Sequence, residues 1–171
     1  LYVRTYIAEM QTLQTGLMTQ YALLLETKLF ARSDEIFGAL YTPQSDVVTL
    51  AEVMLSDAPG SQSLTRMRDL LTQLGGSHSE IYEISLYLRA QDAVLSSQYG
   101  LKYIGRLNKG NAYYAQWTGL TESPETKVAG IHAFEHVGTA YRVIAFVRSY
   151  PTTKPLLLGR GAIAVSFDEG M

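Results

Sequence analysis

At Glu80 the spacing of apolar residues changes from a helical repeat to an alternation of period two, and this one change divides the 171-residue chain into a helical part and a sheet part. Upstream, Val3, Ile7, Met10, Gln14, Leu17, Tyr21, Leu24 and Lys28 follow steps of four and three. They form a heptad seam interrupted by two polar residues. Leu13, Met18, Leu25, Leu29 and Phe30 widen the stripe beyond a two-stranded seam, so the spacing predicts a long helix over 1–41 that packs on its own domain and leaves part of the stripe for a partner helix. Gly38 and Pro43 punctuate its end. Asp46 is the expected cap of a short helix over 47–55, and residues 56–61 read as a loop. Ser63 is the expected cap of a third helix with Leu64, Met67, Leu70, Leu71 and Leu74 inside, ended by Gly75-Gly76.

Downstream, residues 81–89 and 94–98 read as two strands around a turn at 90–93. Residues 99–111 read as irregular, and Asn111 is placed to cap a short helix carrying Tyr113, Tyr114 and Trp117. Residues 128–135 and 139–149 form a hairpin joined at Val137-Gly138, and 161–167 is the last strand. Helices first and five antiparallel strands after make an α+β domain. The expected organisation is one domain over 1–171, with a helical part at 1–76 and the sheet at 80–168.

Composition removes several functions. Lysine and arginine number 14 against 16 acidic residues, for a net charge of -2, so no basic excess exists to neutralise a nucleic-acid backbone. There is no cysteine, hence no disulfide, thiol nucleophile or thiolate metal site. No apolar run reaches the roughly 20 residues that span a bilayer. The chain opens in helical rhythm without a cap and closes soon after a strand. Two readings of those ends stay open: a chain trimmed to its ordered part, or a segment between two membrane spans.

The order of elements, and the strand pair Ile84-Ser85-Leu86-Tyr87-Leu88 and Ala93-Val94-Leu95-Ser96-Ser97, is similar to the extracytoplasmic sensor segments of bacterial membrane receptors. It most resembles those of membrane-bound AraC-type transcriptional regulators and related sensor histidine kinases of Gram-positive bacteria. The resemblance implies a PAS-like sheet of the Cache type, a last strand (161–168) leading to a second membrane span, spans on both flanks and a cell-membrane location. The aromatic–Arg–Asp arrangement by which many Cache domains grip an amino acid is not evident, so the ligand does not carry over.

His132-Ala133-Phe134-Glu135-His136 matches the H-x-x-E-H string of inverted zinc peptidases. That chemistry needs both histidines on one helical face. On a strand they stand about 13 Å apart by rise alone, too far for one zinc. No G-x-S-x-G supports a serine nucleophile, and Gly159-Arg160-Gly161 precedes a strand rather than a helix. The expectation is a binding domain rather than an enzyme, without metal or cofactor; a zinc hydrolase is a weak third reading.

For binding, the aromatic supply stands out: 12 tyrosines and one tryptophan. Tyr99, Tyr103, Tyr113, Tyr114 and Trp117 cluster between the expected second and third strands, where ring walls suit a small organic ligand such as a sugar. His132 joins them as a groove residue. Arg142 and Arg148 alternate with Ile144 and Phe146, and a guanidinium there suits a carboxylate. The expected ligand is a sugar, an amino acid or a carboxylate. Val3, Ile7, Met10, Gln14, Leu17, Tyr21 and Leu24 are the expected dimer contacts of a homodimer. The alternative is a cell-surface protein-interaction module without a small-molecule pocket.

Overall fold

A computed structural model describes residues 2–42, 49–104, 127–136, 139–150 and 161–168, with side chains for 10–42, 49–104, 142–150 and 161–168. The chain forms two compact units, Leu1–Glu35 and Ile36–Met171.

Helix α1 runs Tyr2–Tyr41 without interruption. Over residues 10–28 every side chain is exposed, so the expected burial of the apolar stripe within the domain does not hold there. Leu13, Met18 and Leu23 lie off the Met10–Leu17–Tyr21–Leu24 line, and a stripe spread so far around a helix cannot bury all its members against one surface. The threonine hydroxyls are satisfied within the helix: Thr15 donates to the Gln11 carbonyl at 2.8 Å and Thr19 to that of Thr15 at 2.8 Å. Arg32 pairs with Glu35 one turn on.

In the second unit, α2 (Leu50–Met54) and α3 (Ser61–Gly76) precede the sheet. The cap of α2 is Thr49, not Asp46, which lies outside the described residues. Thr49 Oγ1 accepts from the Glu52 amide at 3.2 Å and Glu52 Oε2 accepts from the Thr49 amide at 2.6 Å, a capping box. Helix α3 begins two residues before the expected Ser63, with Gly60 in the cap position and no side-chain cap.

The fold is α+β: among the described residues the α-helices precede an antiparallel sheet, and one 3-10 turn (Arg89–Gln91) joins its first two strands. Its strands are β1 (Ile81–Leu88), β2 (Ala93–Ser96), β3 (Gly100–Tyr103), β4 (Lys127–His136), β5 (Thr139–Tyr150) and β6 (Gly161–Asp168), in the order β3-β2-β1-β6-β5-β4. Strand β3 is the addition to the expected five. It occupies part of the stretch read as irregular, and the sequence hides it because it is four residues long and opens on Gly100 at a φ of 70°. The strands nearest the two ends of the sheet sequence, β1 and β6, are neighbours at its centre. Tyr103 therefore leaves from one edge and Lys127 enters at the other.

Strand register assigns side chains to faces, because directly paired residues share a face and neighbours alternate. Ile84 pairs with Val165, Leu86 with Ile163 and Leu95, and Val165 with Phe146. This face meets the helices. A Cβ on Gly75 of α3 would lie 3.9 Å from Ile84, Arg148 lies 4.5 Å over the Phe37 ring near the end of α1, and Tyr41 stacks on Tyr150 at 5.8 Å. Phe146 and Phe167 meet edge to face at 5.7 Å. Burying each such side chain contributes about 1.5–3 kcal/mol.

Candidate functional site

The opposite face is built differently. Its buried members are Val143, Ala145 and Val147 of β5, Ala162 and Ala164 of β6, Val94 of β2 and Tyr87 of β1. Where the helix side carries Ile163, Val165, Phe167 and Phe146, the far side of the same strands carries mostly alanine, valine and serine. At one end of this small-residue floor four polar residues are buried to 1% exposure or less: Glu83, Ser85, Ser96 and Ser166.

A bulge sets them there. Ile81 pairs with Phe167 and Glu83 with Ser166, so two residues of β1, Ile81 and Tyr82, stand against one of β6. Ile81 keeps to the helix side, Tyr82 is the extra residue, and Glu83 begins the alternation that puts Glu83, Ser85 and Tyr87 on the far face. Ser85 is opposite Ser96 on one side and Ala164 on the other.

The Ser96 hydroxyl donates to Glu83 Oε1 and accepts the amides of Gln98 at 3.1 Å and Tyr99 at 3.0 Å. One donor and two lone pairs are thereby all used. Ser85 Oγ, equally buried, has no hydrogen-bond partner among the described residues. A carboxyl in such a place is costly unless its hydrogen bonds are made, and an apolar side chain of similar volume costs the fold less. Further along the face, Tyr87 donates to Asp92 Oδ1 at 3.3 Å; burial first, and then the Asp92 charge, push its phenol above the ordinary value.

Beside this cluster, a cleft of about 290 Å³ opens between the end of α3 and the β2–β3 turn, lined among others by Thr72, His78, Ser79, Tyr82, Ser97 and Gln98. Thr72 Oγ1 donates to the Ser97 carbonyl at 3.1 Å, tying α3 to the turn. The Tyr82 and Tyr99 hydroxyls bond to each other, and Lys102 Nζ sits 4.2 Å over the Tyr99 ring.

The residues singled out from sequence divide among several places. Tyr99 belongs to the β2–β3 turn beside the cluster. Tyr113, Tyr114 and Trp117 lie outside the described residues. His132 is in β4, paired with Val143 and so in register with the small-residue face. Arg148 and Arg142 fall on the helix-side register; Arg148 is engaged over Phe37 and Arg142 is exposed, so the structure does not bring them to the polar cluster. The whole His132–His136 string is strand, which denies it the helical face that zinc-peptidase chemistry needs. Of the helix seam, Val3 and Ile7 are in α1, and Met10, Gln14, Leu17, Tyr21 and Leu24 are exposed. Among the described residues no helix is long and apolar enough to cross a membrane.

Glu83, Ser85, Ser96 and Ser166 were not among the sequence candidates. The available signal was a glutamate and a serine, Glu83 and Ser85, inside the mostly apolar run Ile81 to Leu88, where a folding argument alone prefers apolar residues. No protein-family model matches the chain, and no curated protein sequence is significantly similar to it.

Proposed function

We propose that the chain is an extracytoplasmic, ligand-binding sensor domain of a transmembrane bacterial signalling protein, coupled to a transcriptional-regulator or kinase output. The observation that carries this reading is the far face of the sheet: a floor of small buried residues with a carboxyl and three serines at its end. Folding alone favours large apolar side chains there, and recognition favours room and placed polar groups. The strand order adds support, since β1 and β6 adjoin at the centre with a hairpin on each side, as a PAS-like sheet requires. The resemblance of the strand pair in β1 and β2 to receptor sensor segments points the same way.

The mechanism is a shift between two arrangements of the domain, of which the ligand binds one more tightly; without that difference nothing is transmitted. Helix α1 is the element that carries the bias toward the membrane and pairs with its counterpart in a homodimer. A thermal-shift screen against sugars, amino acids and carboxylates tests the reading. Ligand at a hundred times its dissociation constant raises stability by about 2.7 kcal/mol. A stabilising compound whose effect is lost in Trp117→Ala, with the fold intact, supports the sensor.

One observation favours the alternative of a protein-binding module. The edge strand β3 is short and exposes Leu101 and Tyr103, an apolar strand edge that a partner's strand can extend. A blank small-molecule screen together with capture of an extended peptide, lost in Tyr103→Lys, would decide for it.

A further inference from the structure

The cleft between the end of α3 and the β2–β3 turn has two walls whose backbone is already bonded. On the α3 side, the Ser77 amide donates to the Gln73 carbonyl at 3.2 Å, that of His78 to Gly75 at 3.2 Å and that of Ile81 to His78 at 3.1 Å. On the other side the turn is pinned at Ser97. Its amide donates to the Ile84 carbonyl at 2.9 Å, and its Oγ accepts the Ile84 amide at 3.0 Å. Ser96 takes the next two amides, so the buried Glu83–Ser96 pair holds this wall from behind. What the walls leave over is side-chain chemistry. Among the described residues the His78 and Ser79 side chains have no hydrogen-bond partner, and the Ser97 hydroxyl gives its proton to nothing. Gln98 donates a side-chain N–H to the Tyr82 carbonyl at 3.0 Å and keeps Oε1 as an acceptor. The space, about 290 Å³, lies at the lower end of the roughly 300–1,000 Å³ of small-molecule pockets. Gly76 helps to leave it open, since a Cβ there would meet nothing within 4 Å.

We propose that this cleft binds a neutral, polyhydroxylated ligand of monosaccharide size, held by His78, Ser79, Ser97 and Gln98. The assignment rests on the sensor reading and narrows its ligand to the sugar class. Hydroxyls, an amide oxygen and an imidazole offer donors and acceptors together, and a sugar hydroxyl, itself both, can meet either kind. Among the described residues that line the cleft there is no aspartate, glutamate, lysine or arginine. A carboxylate would give up its water for one imidazole at most, and the ammonium of an amino acid would meet no carboxylate. Both are worse matched than a neutral polyol. Tyr82, also in the lining and tied through its hydroxyl to Tyr99, adds aromatic surface for the carbon skeleton.

Calorimetric titration of the chain tests the assignment. The probes are neutral polyols (glucose, galactose, inositol), amino acids (glycine, glutamate) and carboxylates (acetate, succinate). Each is titrated into the wild type, His78→Ala, Ser79→Ala and the double variant. Neither side chain bonds to anything described, so the unliganded variants should melt as the wild type does. Should His78→Ala fail to fold, Ser79→Ala, at an exposed position, decides the matter. The expected result is a polyol whose binding each substitution weakens about three- to tenfold and the double variant weakens further, with the amino acids and carboxylates silent. Binding of any probe that the double variant leaves unaltered overturns the cleft assignment, and the sensor reading stands. An amino acid or a carboxylate that binds and is weakened by the double variant overturns the neutral ligand class, and again the sensor reading stands. No binding by any probe overturns the assignment and counts against the sensor reading as well.

Discussion

The hydroxyl of Ser96 joins the buried carboxyl of Glu83 to the backbone of the β2–β3 turn, giving its proton to the one and taking amide bonds from Gln98 and Tyr99 in the other. Removing it in Ser96→Ala costs Glu83 a donor and leaves two amides without their acceptor. The expected loss is about 2–4 kcal/mol in urea unfolding. Replacing both partners, as Glu83→Val with Ser96→Ala, should recover part of that loss, because no buried carboxyl is left behind. Such a recovery would mark Glu83 as a residue kept at a cost to stability, which is the usual mark of function.

Gly161 opens β6 opposite Leu88 and Tyr150. A Cβ built on it would collide with the backbone carbonyl of Tyr87 and come within 2.7 Å of Met54 Cε. Met54 is flexible and can give way; the Tyr87 carbonyl sits in the central ladder and cannot. Gly161→Ala should therefore destabilise the domain by about 3 kcal/mol or more, read as a lowered urea midpoint, and Met54→Ala should not rescue it.

The period change at Glu80 located the sheet, and alternation in Ile84 to Leu88 and in the β5 run placed their residues on faces, because a half-buried strand has no other way to hide its apolar side. Arg142 and Arg148 do share a face with Ile144 and Phe146. Alternation alone could not say which face the helices cover, and they cover that one. Strand β3 was illegible because four residues with a lysine carry no pattern. The Glu83 cluster was illegible for a different reason. The bulge at Tyr82 resets the alternation, and the grouping of Glu83 with Ser96 and Ser166 exists only through the pairing of strands far apart in sequence. Thr49, by contrast, was legible: Thr49 and Glu52 have capping-box spacing.

From Met10 to Leu25 helix α1 has no charged residue, and Met10, Leu13, Leu17, Met18, Tyr21 and Leu24 are exposed along it. An isolated exposed helix of this composition gains nothing from solvent, and pairing along the seam removes Leu17 and Leu24 from water in both copies. Sedimentation of the wild type should show concentration-dependent dimerisation. Leu17→Glu with Leu24→Glu should raise the dissociation constant by at least about tenfold, since each buried leucine contributes about 1.5–3 kcal/mol. The melting of the sheet at low concentration should not change. A variant that dimerises as tightly as the wild type would place the contact elsewhere.

Tyr41 gives the domain an alkaline limit. Burial pushes its phenol up to about 12, against a smaller opposing effect of the Arg148 charge, and burial also raises Tyr150, on which Tyr41 stacks. Below the ordinary tyrosine value of about 10 both folded and unfolded states are protonated, and this contribution to stability is whole. Above it the unfolded chain ionises first, so stability falls as pH rises from about 10 through the folded value near 12. The Tyr41 hydroxyl has no hydrogen-bond partner among the described residues. Tyr41→Phe should consequently keep the stack, leave neutral-pH stability equal or slightly higher, and make the alkaline decline shallower. Urea unfolding at a series of pH values, with tyrosinate absorbance followed in parallel, measures both effects. An alkaline decline identical in the two proteins would assign it to the other tyrosines with raised values, Tyr87 and Tyr150.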